Sequence, residues 1–230
     1  MNYKNALIVG AGAGLSASLA RLFLKEGMSV ALAARSAEKL AEFVAATGAK
    51  AYNCDVAKRD EVEALFAALD KAGEAPDVVV YNPSFRVRGP LVDLDPAEVE
   101  KTLAITAFGA FLVAQQAVRR MLKKGQGVIV FTGASAGVKG YAQSAPFAMG
   151  KFALRGLAQS MARELHPQGI HVGHVVIDGG IRNARRPAEP DKPDALLDPD
   201  AIAQDYLHLI RQPRSSWSWE IEVRPWVERF

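Results

Sequence analysis

Cysteine is almost missing from this sequence: Cys54 is the only one in 230 residues. Disulfides within the chain and thiol-rich metal sites are thereby excluded, and a reducing cytoplasm is the compartment that fits. Charge of one sign is also scarce. The net charge is only +3, and Lys and Arg are scattered rather than gathered into the dense block of a nucleic-acid binder. Long apolar runs are few. Lys4 followed by "ALIVGAGAGLSASLA" imitates a signal peptide, but its removal would delete the best motif in the chain, and nothing else approaches a membrane span. His171 and His174, three apart on an expected strand, face opposite sides, so no metal site is expected.

Half of the residues are apolar and 23% are charged, a balance that rules out disorder and supplies one substantial core. A single domain over residues 1–230 is expected. Short apolar runs alternate with helical patterns, the signature of βαβ units around a parallel sheet. The runs "ALIVG", "SVALAA", "AKAYNC", "DVVVYN", "GVIVFTG" and "IHVGHVVI" read as six strands. In "SWSWEIEVR" the apolar residues 217, 219, 221 and 223 alternate, which predicts a seventh, edge strand. Helices are expected over "AEKLAEFVAAT", "EVEALFAALDKA", the long stretch 96–124, "APFAMGKFALRGLAQSMAREL" and about 200–212, with another from Leu15 to the stop at Gly27. Four prolines at 187, 190, 193 and 199 mark residues 181–198 as a loop, placed where a substrate lid would sit, and its "RNARRP" start could attract a carboxylate or phosphate.

Chemistry concentrates after the first strand. "LIVGAGAGLSASLARLF" sets Gly10, Gly12 and Gly14 between strand and helix, where small residues let the backbone approach a pyrophosphate and the helix N-terminus offers free N–H groups. The bland alternative is a tight turn and nothing more. After the second strand, where a carboxylate would read a ribose 2′-hydroxyl, the sequence has Arg35 and no acid. A guanidinium suits a 2′-phosphate, so NADP is preferred over NAD.

With these residues in view the chain resembles the short-chain dehydrogenase/reductase family. The resemblance rests on "GAGAGLS", on "CDV" after the third strand, "YNPS" after the fourth, "FTGASAG" after the fifth, and Lys151, and it covers almost the whole length. It implies a Rossmann-like doubly wound parallel sheet of about seven strands flanked by helices. It further implies that Gly10, Gly12, Gly14, Leu15, Arg35, Asp55, Val56, Asn82, Lys151, Gly179 and Ile181 line a nicotinamide cofactor. Subunit contacts through the last strand and the long helices are implied as well, hence a homodimer or homotetramer.

Several positions depart from the family pattern. Ser16 stands where the last motif glycine is usual, and Asp178-Gly179 where a proline-glycine pair usually follows the sixth strand. The catalytic set is altered more deeply. The family's tyrosine, four residues before the lysine, is Phe147; its serine falls on Ala134, with Ser135 one residue away; its helix asparagine falls on Thr106. Phe147 has no proton to exchange, which leaves Lys151 mainly as a ribose ligand and Ser135 or Tyr141 as polar partners for a substrate. The expected function is NADP(H)-dependent hydride transfer to a small carbonyl, enone or imine; the alternative is a catalytically silent NADP(H)-binding relative.

Overall fold

The computed structural model describes residues 3–228. Seven parallel strands form one sheet: β1 (Asn5–Val9), β2 (Ser29–Ala34), β3 (Lys50–Asn53), β4 (Val78–Tyr81), β5 (Gly127–Thr132), β6 (Ile170–Ile177) and β7 (Glu220–Val223), in the spatial order β3-β2-β1-β4-β5-β6-β7. Seven α-helices connect them: α1 (Leu15–Lys25), α2 (Ala41–Thr47), α3 (Arg59–Lys71), α4 (Pro96–Leu103), α5 (Gly109–Lys124), α6 (Ala145–Leu165) and α7 (Pro199–Arg211). This is the Rossmann-like doubly wound sheet expected from the sequence.

The strand sequences explain the layering. Every residue of β4, β5 and β6 is buried, as parallel strands covered on both faces require. Side chains alternate between two cores. Leu7, Val79, Tyr81 and Phe131 pack toward Val62 and Phe66 of α3 and Leu112 of α5. Ile8, Val78, Val80 and Val130 pack toward Leu19 and Phe23 of α1 and Ile202 of α7. Capping sets the helix ends. Asp95 and Asp198 each accept from the backbone N–H two residues on, with proline at the first helical position, and Gly125 ends α5 at φ +64.

Three details differ from the sequence expectation. The helix expected over 37–47 opens as a 3-10 turn at Ala37–Leu40. The stretch 96–124 is broken by a π turn at Ala104–Phe108. The strand expected over "SWSWEIEVR" holds only four residues, because Trp217 is drawn out of line to stack on His171, with ring centres 4.6 Å apart. The segment 181–198 is the loop expected, with isolated bridges, Ile181 to Leu197 among them, and no helix or strand.

No helix among the described residues is long and apolar enough to cross a membrane. None of the His, Cys, Asp and Glu side chains among them gather into a metal-binding group. Trp217 and Trp219 are committed within the chain, Trp217 to His166 and His171 and Trp219 to the core and Arg155, whereas Trp226 is 81% exposed.

Candidate active site

The strand order reverses direction between β1 and β4, and the carboxyl ends of these two strands frame a crevice, the place where open α/β sheets bind ligands. Gly10 leaves β1 there at φ +79, and its N–H donates to the Ala33 carbonyl of β2 at 2.9 Å. A Cβ at Gly10 would stand 2.7 Å from the Pro83 nitrogen, so the turn and the segment after β4 touch only because residue 10 has no side chain. Gly12 differs: a Cβ there would meet no protein atom within 4 Å. Packing within the chain therefore gives no reason for glycine at 12.

The departure at Ser16 becomes intelligible here. Its hydroxyl donates to the Gly10 carbonyl at 3.0 Å and accepts from Asn82 Nδ2 at 2.8 Å, joining the turn to the end of β4. No side chain caps the N-terminus of α1, so its first-turn N–H groups stay free of side-chain acceptors. The Leu15 side chain, expected to line a ligand, lies in the core at 5% exposure. Gly14 is the residue before the helix and its carbonyl accepts from Ala17 at 2.9 Å.

Two neighbouring cavities occupy the crevice. The first, of about 280 Å³, is lined by Gly10, Arg35, Asp55, Val56 and Asn82. Arg35 is exposed at its rim, beyond the end of β2. Asp55 is fixed by its own turn, its carboxylate accepting from Ala57 N–H at 3.1 Å. Cys54 also borders this cavity, and burial pushes its thiol up to about 12, which removes it as a nucleophile.

The second cavity, of about 810 Å³, shares Asn82 and Ser84 with the first and brings together Lys151, Phe147, Ser135, Tyr141, Gly179 and Ile181. Pro146 and Ser144 begin α6, so Phe147 and Lys151 fall one turn apart on a single face. Lys151 is 3% exposed, and its Nζ donates to the Thr132 carbonyl at 2.6 Å and lies 5.8 Å from the centre of the Phe147 ring. Among the described residues it has no carboxylate partner. Burial lowers its pKa to about 8. Tyr141 is 44% exposed beneath the Lys139 ammonium, and Ser135 sits in a short 3-10 turn whose Gly137 packs on the Lys151 backbone.

Thr106 lies elsewhere. It is fully buried in the π turn, where it packs against Gly150 of α6 and accepts from Phe85 N–H at 3.4 Å. Beneath the β5 loop, a Cβ on Gly133 would clash with His174, whose Nδ1–H donates to Glu220 at 2.9 Å. Glu220 also takes a bidentate pair from Arg155 of α6. The sequence reading did not find Arg86 and Arg88, which line the second cavity. Their spacing of two after "YNPS" in an irregular segment is the signal that was there to find.

A doubly wound parallel sheet with a glycine turn, an asparagine at the switch point and a buried lysine one turn after an aromatic defines a dehydrogenase-like α/β protein. The short chain dehydrogenase family model matches residues 4–187, and the chain belongs to that family. Among solved structures it is similar to a short-chain dehydrogenase from Rhodopseudomonas palustris, at 35% identity over 97% of this chain and 99% of that one, with a TM-score of 0.85. It is also similar to a metagenomic short-chain oxidoreductase in complex with NADP, at 28% identity over 98% of both chains and a TM-score of 0.83. An uncharacterized oxidoreductase of Staphylococcus aureus strain N315 is 27% identical over 96% of this chain and 97% of its own.

Proposed function

We propose that the protein is an NADP(H)-dependent oxidoreductase with a non-standard active site, acting on a small carbonyl, enone or imine. The observation that carries this reading is Lys151. A buried ammonium without a carboxylate is costly to keep, and a ribose bearing two hydroxyls is a ligand that would repay it. The residues present suit a dinucleotide. Gly12 leaves an open approach to the turn, the first-turn N–H groups of α1 suit a pyrophosphate, and Arg35 at the rim suits a 2′-phosphate.

When bound, the cofactor supplies or accepts a hydride. Lys151 donates to the ribose and, with a pKa near 8, stays charged at neutral pH. Asn82, held by Ser16, keeps the switch point in shape. Phe147 walls the cleft without exchanging a proton, so any proton to the substrate comes from Tyr141 or Ser135, both in the same cavity, or the substrate needs none there. A silent NADP(H)-binding protein is the second reading, favoured by the missing phenol alone.

Fluorescence titration with NADPH and NADH, followed by turnover assays on ketones, enones and imines, tests both. Saturable NADPH binding with turnover supports the first reading, and loss of turnover in Tyr141→Phe assigns the proton to that residue. Binding without turnover on any class supports the second. No saturable binding of either nucleotide overturns both.

A further inference from the structure

The second cavity has a charge pattern that hydride transfer does not require. Arg86 and Arg88 enter it from the segment after β4 and Arg186 from the loop 181–198, so three guanidinium groups from two distant parts of the chain border the cleft that also holds Lys151. None of the three is in an ion pair among the described residues. Some other arginines are paired, Arg120 with Asp70, Arg155 with Glu220 and Arg182 with Asp198, while Arg35 is not among the described residues.

The side chains of Arg86 and Arg186 make contacts at the cleft, and the backbone carrying Arg88 is anchored beside it. Arg86 stacks its guanidinium 4.8 Å above the centre of the Phe147 ring. Arg186 folds back over the cleft floor, where a Cβ on Gly180 would stand 2.5 Å from its Nη1. The segment carrying Arg88 is tied to the loop before α6 by Gly89 N–H donating to the Gln143 carbonyl at 3.1 Å. The groups also feel one another: burial, then Arg88, then Arg186 lower the pKa of Arg86. Two carboxylates border the same cavity, Asp178 and Glu228. Asp178 is already engaged by Arg224 at 3.6 Å and Lys139 at 3.9 Å, so the excess of positive charge stays with the arginines.

We propose that this cleft binds a substrate bearing an oxyanion group, a carboxylate or a phosphate, held by Arg86, Arg88 and Arg186 beside the Phe147 ring. Arg86, Arg88 and Arg186 are solvent-exposed around a concave cleft, where like charges set side by side attract a counter-charge, and planar guanidinium groups match the two oxygens of a carboxylate or phosphate. The inference rests on the proposed function in taking this cavity as the substrate side of the crevice, and it makes the substrate class an acid rather than a neutral ketone.

The test is calorimetric titration of the NADP-loaded protein, whose nucleotide phosphate sites are filled, with benzoate, oxamate and inorganic phosphate. Benzamide and oxamide serve as neutral counterparts. At least one anion is expected to bind saturably, at least tenfold tighter than its neutral counterpart where one exists. Arg88→Gln and Arg186→Gln are each expected to weaken that anion about tenfold or more, with partial recovery in Arg88→Lys and no change in the neutral compounds. Phosphate bound while both carboxylates fail would identify the group as a phosphate.

Three results overturn the proposal: no anion binds, the neutral compounds bind as well as the anions, or the arginine variants weaken NADPH instead of the anion. The last would assign the arginines to the cofactor. Should the protein bind no nucleotide, the cofactor reading fails, but the same titration on the nucleotide-free protein still decides the anion preference.

Discussion

The Nζ of Lys151 donates to the carbonyl of Thr132 at 2.6 Å inside a pocket that leaves the lysine 3% exposed. A charged group so placed stabilises little. Its pKa falls from 10.5 to about 8 on folding, so the unfolded chain holds the proton more tightly and stability rises with pH between those values. At pH 7 the buried charge is therefore a cost.

Lys151→Met is expected to unfold in urea at the same or a higher midpoint at pH 7 while losing most of its affinity for NADPH. A lower midpoint with unchanged NADPH affinity would make this lysine a structural residue.

Phe147→Tyr places a phenol beside the same ammonium. A positioned general acid contributes roughly 100 to 10,000-fold, so ketone reduction by the variant should exceed that of the natural protein by a factor in that range, measured as NADPH oxidation. No gain would mean that the bound ketone does not reach this wall of the cleft.

Arg35 borders the first cavity without an ion-pair partner among the described residues. Arg35→Gln is expected to weaken NADPH by about tenfold or more, the worth of a charge-assisted bond, and to leave NADH unchanged. Equal losses for the two nucleotides would remove the 2′-phosphate assignment.

His171 and His174 are fully buried, and burial lowers both from 6.5 to about 4. For these groups the unfolded state takes up protons first as the solution is acidified, so stability is complete above about pH 6.5 and declines toward pH 4. Each contributes a slope of roughly 1 kcal/mol per pH unit in that window. Urea midpoints between pH 7 and pH 5 should fall accordingly, and His171→Phe, which keeps the stack on Trp217, should flatten the slope.

Much of the fold was legible in the sequence because its strands are short apolar runs separated by amphipathic helices, and β6 in particular ran unbroken from Ile170 to Ile177. The edge was less so. Alternation over 217–223 read as one strand, but alternation reports a buried face and not what buries it; for Trp217 that partner is His171, 46 residues earlier in the chain. The glycine turn at the end of β1 was legible as a motif, whereas the Leu15 side chain belongs to the helix face and packs in the core. Arg186 lies within the "RNARRP" run, which reads as able to attract a carboxylate or phosphate. Its grouping with Arg86 and Arg88 was not legible, because the segment after β4 and the loop after β6 come together only when both fold over the same strand ends. Thr106 could be placed only from three dimensions. It stands where the family's helix asparagine is usual, and its burial against Gly150 gives it packing.

Ser16 clasps both Gly10 and Asn82, where a glycine would have clasped neither. Two crossover segments are thereby stitched together in advance, and whatever settles on them surrenders less of its gain to freezing loose chain. Cutting that stitch with Ser16→Gly should leave the contacts available to a guest intact yet slow its arrival into a crevice that first has to find its shape.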